Sequence, residues 1–229
     1  MMTGDTERLI RRLATNIEPV RPLPRPWIRT AAWLALSAAY IALMLLVASR
    51  RRGFSPELSQ PRFLIEQVAA LTTGIAAAAA AFASVVPGYN RKFLALPLLP
   101  LAIWLGSLGQ GCLQDWLQQG AYGLALRPDW YCLKAIARFG AVPAFAMVLM
   151  LRRGAPLSPH LTMALGGLAA AGLGNVALRL VHRPDASVMV LVWQFGAVCV
   201  LSALAAGAGR YLLNWRSIAG GDRRLTAVE

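Results

Sequence analysis

The chain first becomes continuously apolar at residues 27–49, which read WIRTAAWLALSAAYIALMLLVAS. Arg29 is the one charged residue in this stretch. The hydrocarbon core of a bilayer is about 30 Å thick, and a helix needs roughly 20 apolar residues to cross it. The stretch is therefore predicted to be a transmembrane helix.

Five further apolar stretches of similar length follow, at residues 64–86, 93–110, 133–151, 161–181 and 188–213. The chain is 57% hydrophobic and 14% charged, whereas a soluble domain carries about 25% charged residues. The sequence predicts an all-α, polytopic membrane protein. Residues 27–215 form a bundle of six transmembrane helices between an N-terminal segment, 1–26, and a C-terminal tail, 216–229. The first stretch lies behind a charged leader and is expected to remain as an anchor, not as a cleaved signal peptide.

Basic residues exceed acidic ones, which gives the chain a formal net charge of +13. In a soluble protein this excess would suggest nucleic acid. Here the arginines flank apolar stretches, which favours membrane topology and contact with lipid headgroups over direct binding of nucleic acid. With the N-terminus inside, 14 of the 23 Lys and Arg residues lie on the inner side, although Arg50–Arg52 do not. Both termini are therefore predicted to be cytoplasmic.

The N-terminal segment contains a short amphipathic pattern. Its apolar residues recur at helical spacing, and arginines, including Arg12, cover the remaining surface; the apolar residues are Leu9, Ile10, Leu13 and Ile17. Asp5 or Thr6 is expected to cap this helix. So short a helix needs a surface to be stable, which is either the membrane or a groove on a partner protein. The proline-rich spacer that follows holds the helix away from the membrane, which favours a partner.

Two cysteines flank the connection between the third and fourth apolar stretches, which we expect to begin as a loop at Gly111. Cys112 precedes Asp115, and Cys132 follows Asp129. With the termini inside, this connection faces an oxidising compartment, where pairing of the two thiols in a disulfide is one expectation. The alternative is a reactive pair that binds a soft ion such as copper or switches between dithiol and disulfide. No obligatory cofactor is expected.

Further ionisable residues are expected at the same outer level, namely Glu66, Arg138, Arg179 and His182. A carboxylate within a membrane span is costly and usually has a partner. Glu66 is therefore expected to pair with Arg138 or Arg179, unless these arginines extend to the interface instead. The chain carries none of the common catalytic motifs, and we do not expect an enzyme.

Two other functions suit a small polytopic protein. A transporter would need a polar path at the bilayer centre, whereas the ionisable residues here cluster near the outer helix ends. A structural membrane protein would organise partners, or copies of itself as a homo-oligomer, through small residues in the second and fifth stretches.

Several short segments, taken in order, resemble the NrsF family of membrane-embedded negative regulators of extracytoplasmic-function sigma factors. They are LIRRLA at residues 9–14, PVRPLP at 19–24, LLPLAIWL at 98–105, GCL at 111–113, DW at 129–130 before Cys132, RRGAPL at 152–157, LRLVH at 178–182 and MVLVW at 189–193. The resemblance covers nearly the whole chain.

The resemblance implies an anti-sigma factor in the bacterial inner membrane. Its cytoplasmic N-terminal segment would bind the sigma factor and keep it from RNA polymerase. The residues expected to contact the sigma factor are Leu9, Ile10, Arg12, Leu13 and Ile17. Cysteines of the family are associated with metal stress, so Cys112 and Cys132 are expected to sense a periplasmic metal or redox signal.

Overall fold

A computed structural model of the protein describes residues 3–15, 23–52, 60–120, 129–154, 156–181 and 187–213. These residues form helices and short connections, and none of the described ranges contains a strand. The helices are α1 (Thr3–Thr15), α2 (Pro26–Arg52), α3 (Pro61–Ser84), α4 (Leu98–Gln119), α5 (Trp130–Leu151), α6 (Pro159–Val181) and α7 (Ser187–Leu212). A 3₁₀ helix, Arg91–Ala95, precedes α4, and a π-helical segment, Val190–Phe195, lies within α7.

Six of these helices, α2 to α7, are long and apolar enough to cross a membrane. The predicted all-α class and the six spans are therefore confirmed. The largest boundary error lies at the end of the third stretch, which was expected to stop at Gln110, whereas its helix continues to Gln119. The segment from Gly111 onward was expected to be a loop, but it contains no proline and is rich in Leu and Gln, which favour helix. The helix ends where Gly120 adopts a positive φ of 59°, a conformation that favours glycine.

Helix α6 lies at the centre of the bundle, between α3, α5 and α7. Close approach of backbones makes this possible. A Cβ atom added to Gly174 of α6 would lie 2.5 Å from the carbonyl oxygen of Ile136 in α5, and one added to Gly140 would lie 2.9 Å from that of Ala170. Small residues allow helices in lipid to pack closely in this way.

Successive spans run in opposite directions, so each end of the bundle contains the starts of three helices and the ends of the other three. At the α2-start end, where α2, α4 and α6 begin, Ser84 and Thr162 share a hydrogen bond of 2.8 Å. At the same end Arg152 Nε donates to the carbonyl of Leu212, also over 2.8 Å. At the opposite, α3-start end, Arg62 Nη2 donates to Ser187 Oγ over 2.6 Å.

Helix α2 is held against α5 by two buried side chains. Trp33 Nε1 donates to the carbonyl of Pro143 over 2.9 Å. Arg29 donates to the carbonyl of Met150, and its guanidinium lies 4.7 Å from the centre of the Phe82 ring. Because carbonyls in the last turn of a helix have no intrahelical partner, Arg29 satisfies one of these groups in α5. Arg29, the one charged residue of the first apolar stretch, is thus buried in the protein interior.

Candidate functional site

The N-terminal helix α1 presents apolar side chains to solvent. Leu9 is 58% exposed and Ile10 is 61% exposed. Arg12 lies in the last turn and is also exposed. Asp5 lies in the first turn, and its carboxylate pairs with Arg8 at 3.5 Å. The helix begins at Thr3, before the expected cap at Asp5 or Thr6.

The apolar pattern of α1 extends beyond what the structure describes. Leu13 lies on the described helix, although its side chain does not belong to the described part, and Ile17 lies outside the described residues. A helix of this length is marginal alone in water, and exposed apolar side chains favour association. Leu9 and Ile10 therefore form the described part of an exposed apolar surface on α1.

A cluster of charged side chains lies at the α3-start end of the bundle. Glu66 is buried, and its two carboxylate oxygens have different partners. Arg179 Nη2 donates to Oε2 over 2.8 Å, and Arg62 Nε donates to Oε1 over 3.0 Å. Arg179 is itself buried and lies 4.9 Å from the centre of the Phe63 ring. Of the two partners expected for Glu66, Arg138 and Arg179, the structure shows Arg179. The pair joins α3 to α6.

Arg62 extends this cluster to two more helices. Its Nη2 donates to Ser187 Oγ over 2.6 Å, and its Nη1 lies 3.5 Å from Gln114 Oε1. The backbone N–H of Ser187 in turn donates to Asp115 Oδ2 over 2.8 Å. Four helices, α3, α4, α6 and α7, thus meet in one hydrogen-bonded network. We call Arg62, Glu66, Gln114, Asp115, Arg179 and Ser187 the outer polar cluster.

For two of the other residues predicted at this level, the structure shows local contacts. Arg138 has an exposed side chain, and its carbonyl accepts a hydrogen bond of 2.9 Å from the Tyr40 hydroxyl. Asp129 caps α5, because its Oδ1 accepts from the N–H of Tyr131 over 3.0 Å. His182 lies outside the described residues.

The cysteines lie in different environments. Cys112 is half-buried in α4, directly after Gly111, whose Cα is in close contact with the Arg62 guanidinium. Cys132 is buried in the first turn of α5, and its thiol donates to Asp129 Oδ2 over 3.0 Å. No disulfide joins the three cysteines, all of which lie in the described ranges. Among the described residues, no three His, Cys, Asp or Glu side chains form a metal-binding group.

Sequence reasoning missed Arg62, Gln114 and Ser187 of the outer polar cluster. Arg62 precedes Glu66 by four residues, a spacing that places opposite charges side by side on a helix, so the sequence contained a signal for it. Ser187 and Gln114 reach the cluster from other helices, and their contact with Arg62 follows from the packing alone.

Comparison with known proteins gives one family. The family model described as NrsF, negative regulator of sigma F, matches residues 13–215. The match begins within α1, after Leu9 and Ile10, and extends across all six apolar spans. No curated protein and no solved structure matches the chain. The match spans most of the chain and confirms the resemblance seen in the sequence. This chain belongs to the NrsF family, the negative regulators of sigma F.

Proposed function

We propose that this protein is an anti-sigma factor that sequesters an extracytoplasmic-function sigma factor at the bacterial inner membrane. The family is one of negative regulators of a sigma factor. The observation that carries the mechanism is the exposed apolar surface of α1, where Leu9 and Ile10 are both more than half exposed. These residues enter an apolar groove on the sigma factor.

Charge on α1 supports the same role. Arg8, Arg11 and Arg12 are exposed on the helix that carries Leu9 and Ile10. Acidic surface on the partner would meet these guanidiniums, which speeds encounter and fixes orientation. Sequestration then requires only that α1 cover a surface of the sigma factor that RNA polymerase also needs.

The even number of spans and the distribution of basic residues between their two ends support a cytoplasmic position for α1. An even number of membrane crossings places both ends of the bundle on one side, and the excess of basic residues on that side favours the cytoplasm. Residues 1–26 then act as the sigma-binding segment, 27–215 as the membrane domain and 216–229 as a cytoplasmic tail. The outer polar cluster and the two cysteines face the periplasm.

A signal at Cys112 and Cys132 is proposed to release the sigma factor. A soft metal ion such as copper, or an oxidant, would react with these thiols. Gly111, next to Cys112, contacts Arg62, so a shift in this turn of α4 reaches the network that joins α3, α6 and α7. Moving the sigma factor from about 1% to about 99% free requires roughly 5.5 kcal/mol, which thiol chemistry of this kind must supply.

The proposal is tested in cells with a transcriptional reporter for the sigma factor. Replacing Leu9 and Ile10 with aspartate in the full-length protein should raise reporter activity without stress, because the sigma factor is no longer held. The matched control is Gly4→Asp with Thr15→Asp, which adds the same charge to the opposite face of a helix with 3.6 residues per turn. Unchanged reporter activity in the Leu9 and Ile10 variant, at equal protein level in the membrane, would contradict the proposal.

A further inference from the structure

A cleft opens at the α2-start end of the bundle, where the end of α3, the 3₁₀ helix and the start of α6 meet. Its volume is about 370 Å³. Its polar lining comes from Ser84, Tyr89, Asn90, Arg91 and Ser158, and its apolar lining comes from Ala83, Val86, Leu94, Leu157 and Leu161. Neither the sigma-binding surface of α1 nor the outer polar cluster contributes to this cleft.

The polar wall of the cleft is held in place by local hydrogen bonds and packing. Gly88 turns the chain with a positive φ of 79°, a conformation that favours glycine. Asn90 Oδ1 then accepts from the N–H of Lys92 over 3.0 Å and caps the 3₁₀ helix. The rings of Tyr89 and Phe93 lie 4.8 Å apart. Arg91 is thus presented from an ordered turn.

The apolar wall lies beside the polar one and is open to the outside. Leu157 is 77% exposed and Leu161 is 44% exposed. Leu157 lies just before α6 and Leu161 in its first turn, at the level where the membrane spans begin and end. In a bilayer this level holds the boundary between headgroups and acyl chains. A ligand with a polar head and an apolar tail fits the two walls together.

The charge on the two connections beside the cleft has one sign. The two connections at this level, residues 85–97 and 152–158, contain Arg91, Lys92, Arg152 and Arg153 and no Asp or Glu. The connections touch each other, because Gly154 packs against Val85. A cluster of basic residues beside a membrane attracts anionic lipid headgroups.

We propose that this cleft is a specific binding site for one anionic phospholipid. The lipid phosphate contacts Arg91 and the hydroxyl of Ser158, and an acyl chain lies over Leu157 and Leu161. A free phosphate ion would use the polar wall alone and leave the leucines exposed, so the apolar wall favours the lipid. The inference requires a membrane-spanning bundle and is independent of sigma-factor binding.

The test uses the delipidated full-length protein in detergent, titrated with phosphatidylglycerol and followed by native mass spectrometry. Arg91→Gln should weaken binding of the first lipid about tenfold, the effect of losing one charge-assisted hydrogen bond. Ser158→Phe, which fills the cleft from an exposed position, should weaken it similarly. Arg210→Gln is the control, because Arg210 is also exposed at the α2-start end but does not line the cleft.

Three results would overturn the proposal. If phosphatidylcholine of the same chain length bound as tightly as phosphatidylglycerol, the cleft would not recognise the net negative charge of the lipid. If Arg210→Gln weakened lipid binding as much as Arg91→Gln does, the loss would reflect a general attraction between basic residues and the lipid, not a site at the cleft. Full competition by millimolar inorganic phosphate would assign the cleft to a free anion. Thermal unfolding of each variant shows whether the protein remains folded, and Ser158→Phe tests the cleft without removing a charge.

Discussion

Arg179 and Glu66 form a buried ion pair of 2.8 Å between α6 and α3. Both side chains are nearly inaccessible, at 8% and 6% exposure. A buried charged group is costly unless it is paired and hydrogen-bonded, and here Arg62 provides a second bond to the same carboxylate. The pair therefore fixes the relative position of α3 and the central helix of the bundle.

Replacing Glu66 with glutamine should destabilise the protein strongly. The buried Arg179 guanidinium would lose its carboxylate partner, and breaking a buried pair by removing one side costs about 3–5 kcal/mol. Unfolding by denaturant in detergent measures the change. Asp5→Asn removes the exposed pair with Arg8 and is the control that should leave the unfolding midpoint unchanged.

The double variant Glu66→Gln with Arg179→Met should be more stable than the sum of the two single changes predicts. Contacting residues show coupling energies of about 0.5–3 kcal/mol in such cycles. Strict additivity would mean that the two side chains do not stabilise each other.

Gly174→Ala should separate α5 from α6. The added methyl group would lie 2.5 Å from the carbonyl oxygen of Ile136, and overpacking of this kind costs typically about 1–3 kcal/mol. Gly106→Ala is the matched control, since nothing lies within 4 Å of its added Cβ. Thermal unfolding should distinguish the two variants, and equal midpoints would contradict the close packing of α5 on α6.

Trp33→Phe should weaken the attachment of α2 to α5. The change removes the hydrogen bond to the Pro143 carbonyl, which contributes about 0.5–1.5 kcal/mol, and leaves a gap where the indole was buried. Trp27→Phe is the comparison, because Trp27 is 56% exposed. If the two variants unfold at the same temperature, Trp33 does not hold the helices together as described.

Cys112→Ser and Cys132→Ser together should abolish induction of the sigma-dependent reporter by copper or by oxidant. Basal repression should persist, because α1 is unchanged. Cys199→Ser is the control, since Cys199 is exposed on α7 and is not part of the proposed sensor. An induction curve identical to that of the wild type would remove the sensing role from these two cysteines.

The sequence predicted the helices well because lipid imposes a length and a composition on each span. The starts of α3 and α5 lie a few residues earlier than expected, since Pro61 and Trp130 begin helices that the apolar pattern alone does not mark. The larger error, at the end of α4, arose because polar helix-forming residues continue a helix beyond its apolar part.

The candidate site was predictable only in part. Glu66 was expected to pair with Arg138 or Arg179 because a carboxylate in an apolar span needs a partner. Its second partner, Arg62, was missed, although the spacing of four residues was a signal for it. The choice between Arg138 and Arg179 depended on how α5 and α6 rotate in the bundle, which one sequence does not specify. The cleft at Arg91 likewise arises from two connections that are distant in the chain and adjacent in the fold.

Binding of the sigma factor to the full-length protein in lipid nanodiscs tests the central claim most directly. The extracytoplasmic-function sigma factors of the same bacterium are each titrated against the wild type, the Leu9→Asp and Ile10→Asp double variant, and the Gly4→Asp and Thr15→Asp control. We predict that one sigma factor binds the wild type and the control with similar Kd, and the Leu9 and Ile10 variant at least about a hundredfold more weakly, a loss of about 2.8 kcal/mol. Equal binding by both variants, or no binding of any sigma factor to the wild type, would contradict the account.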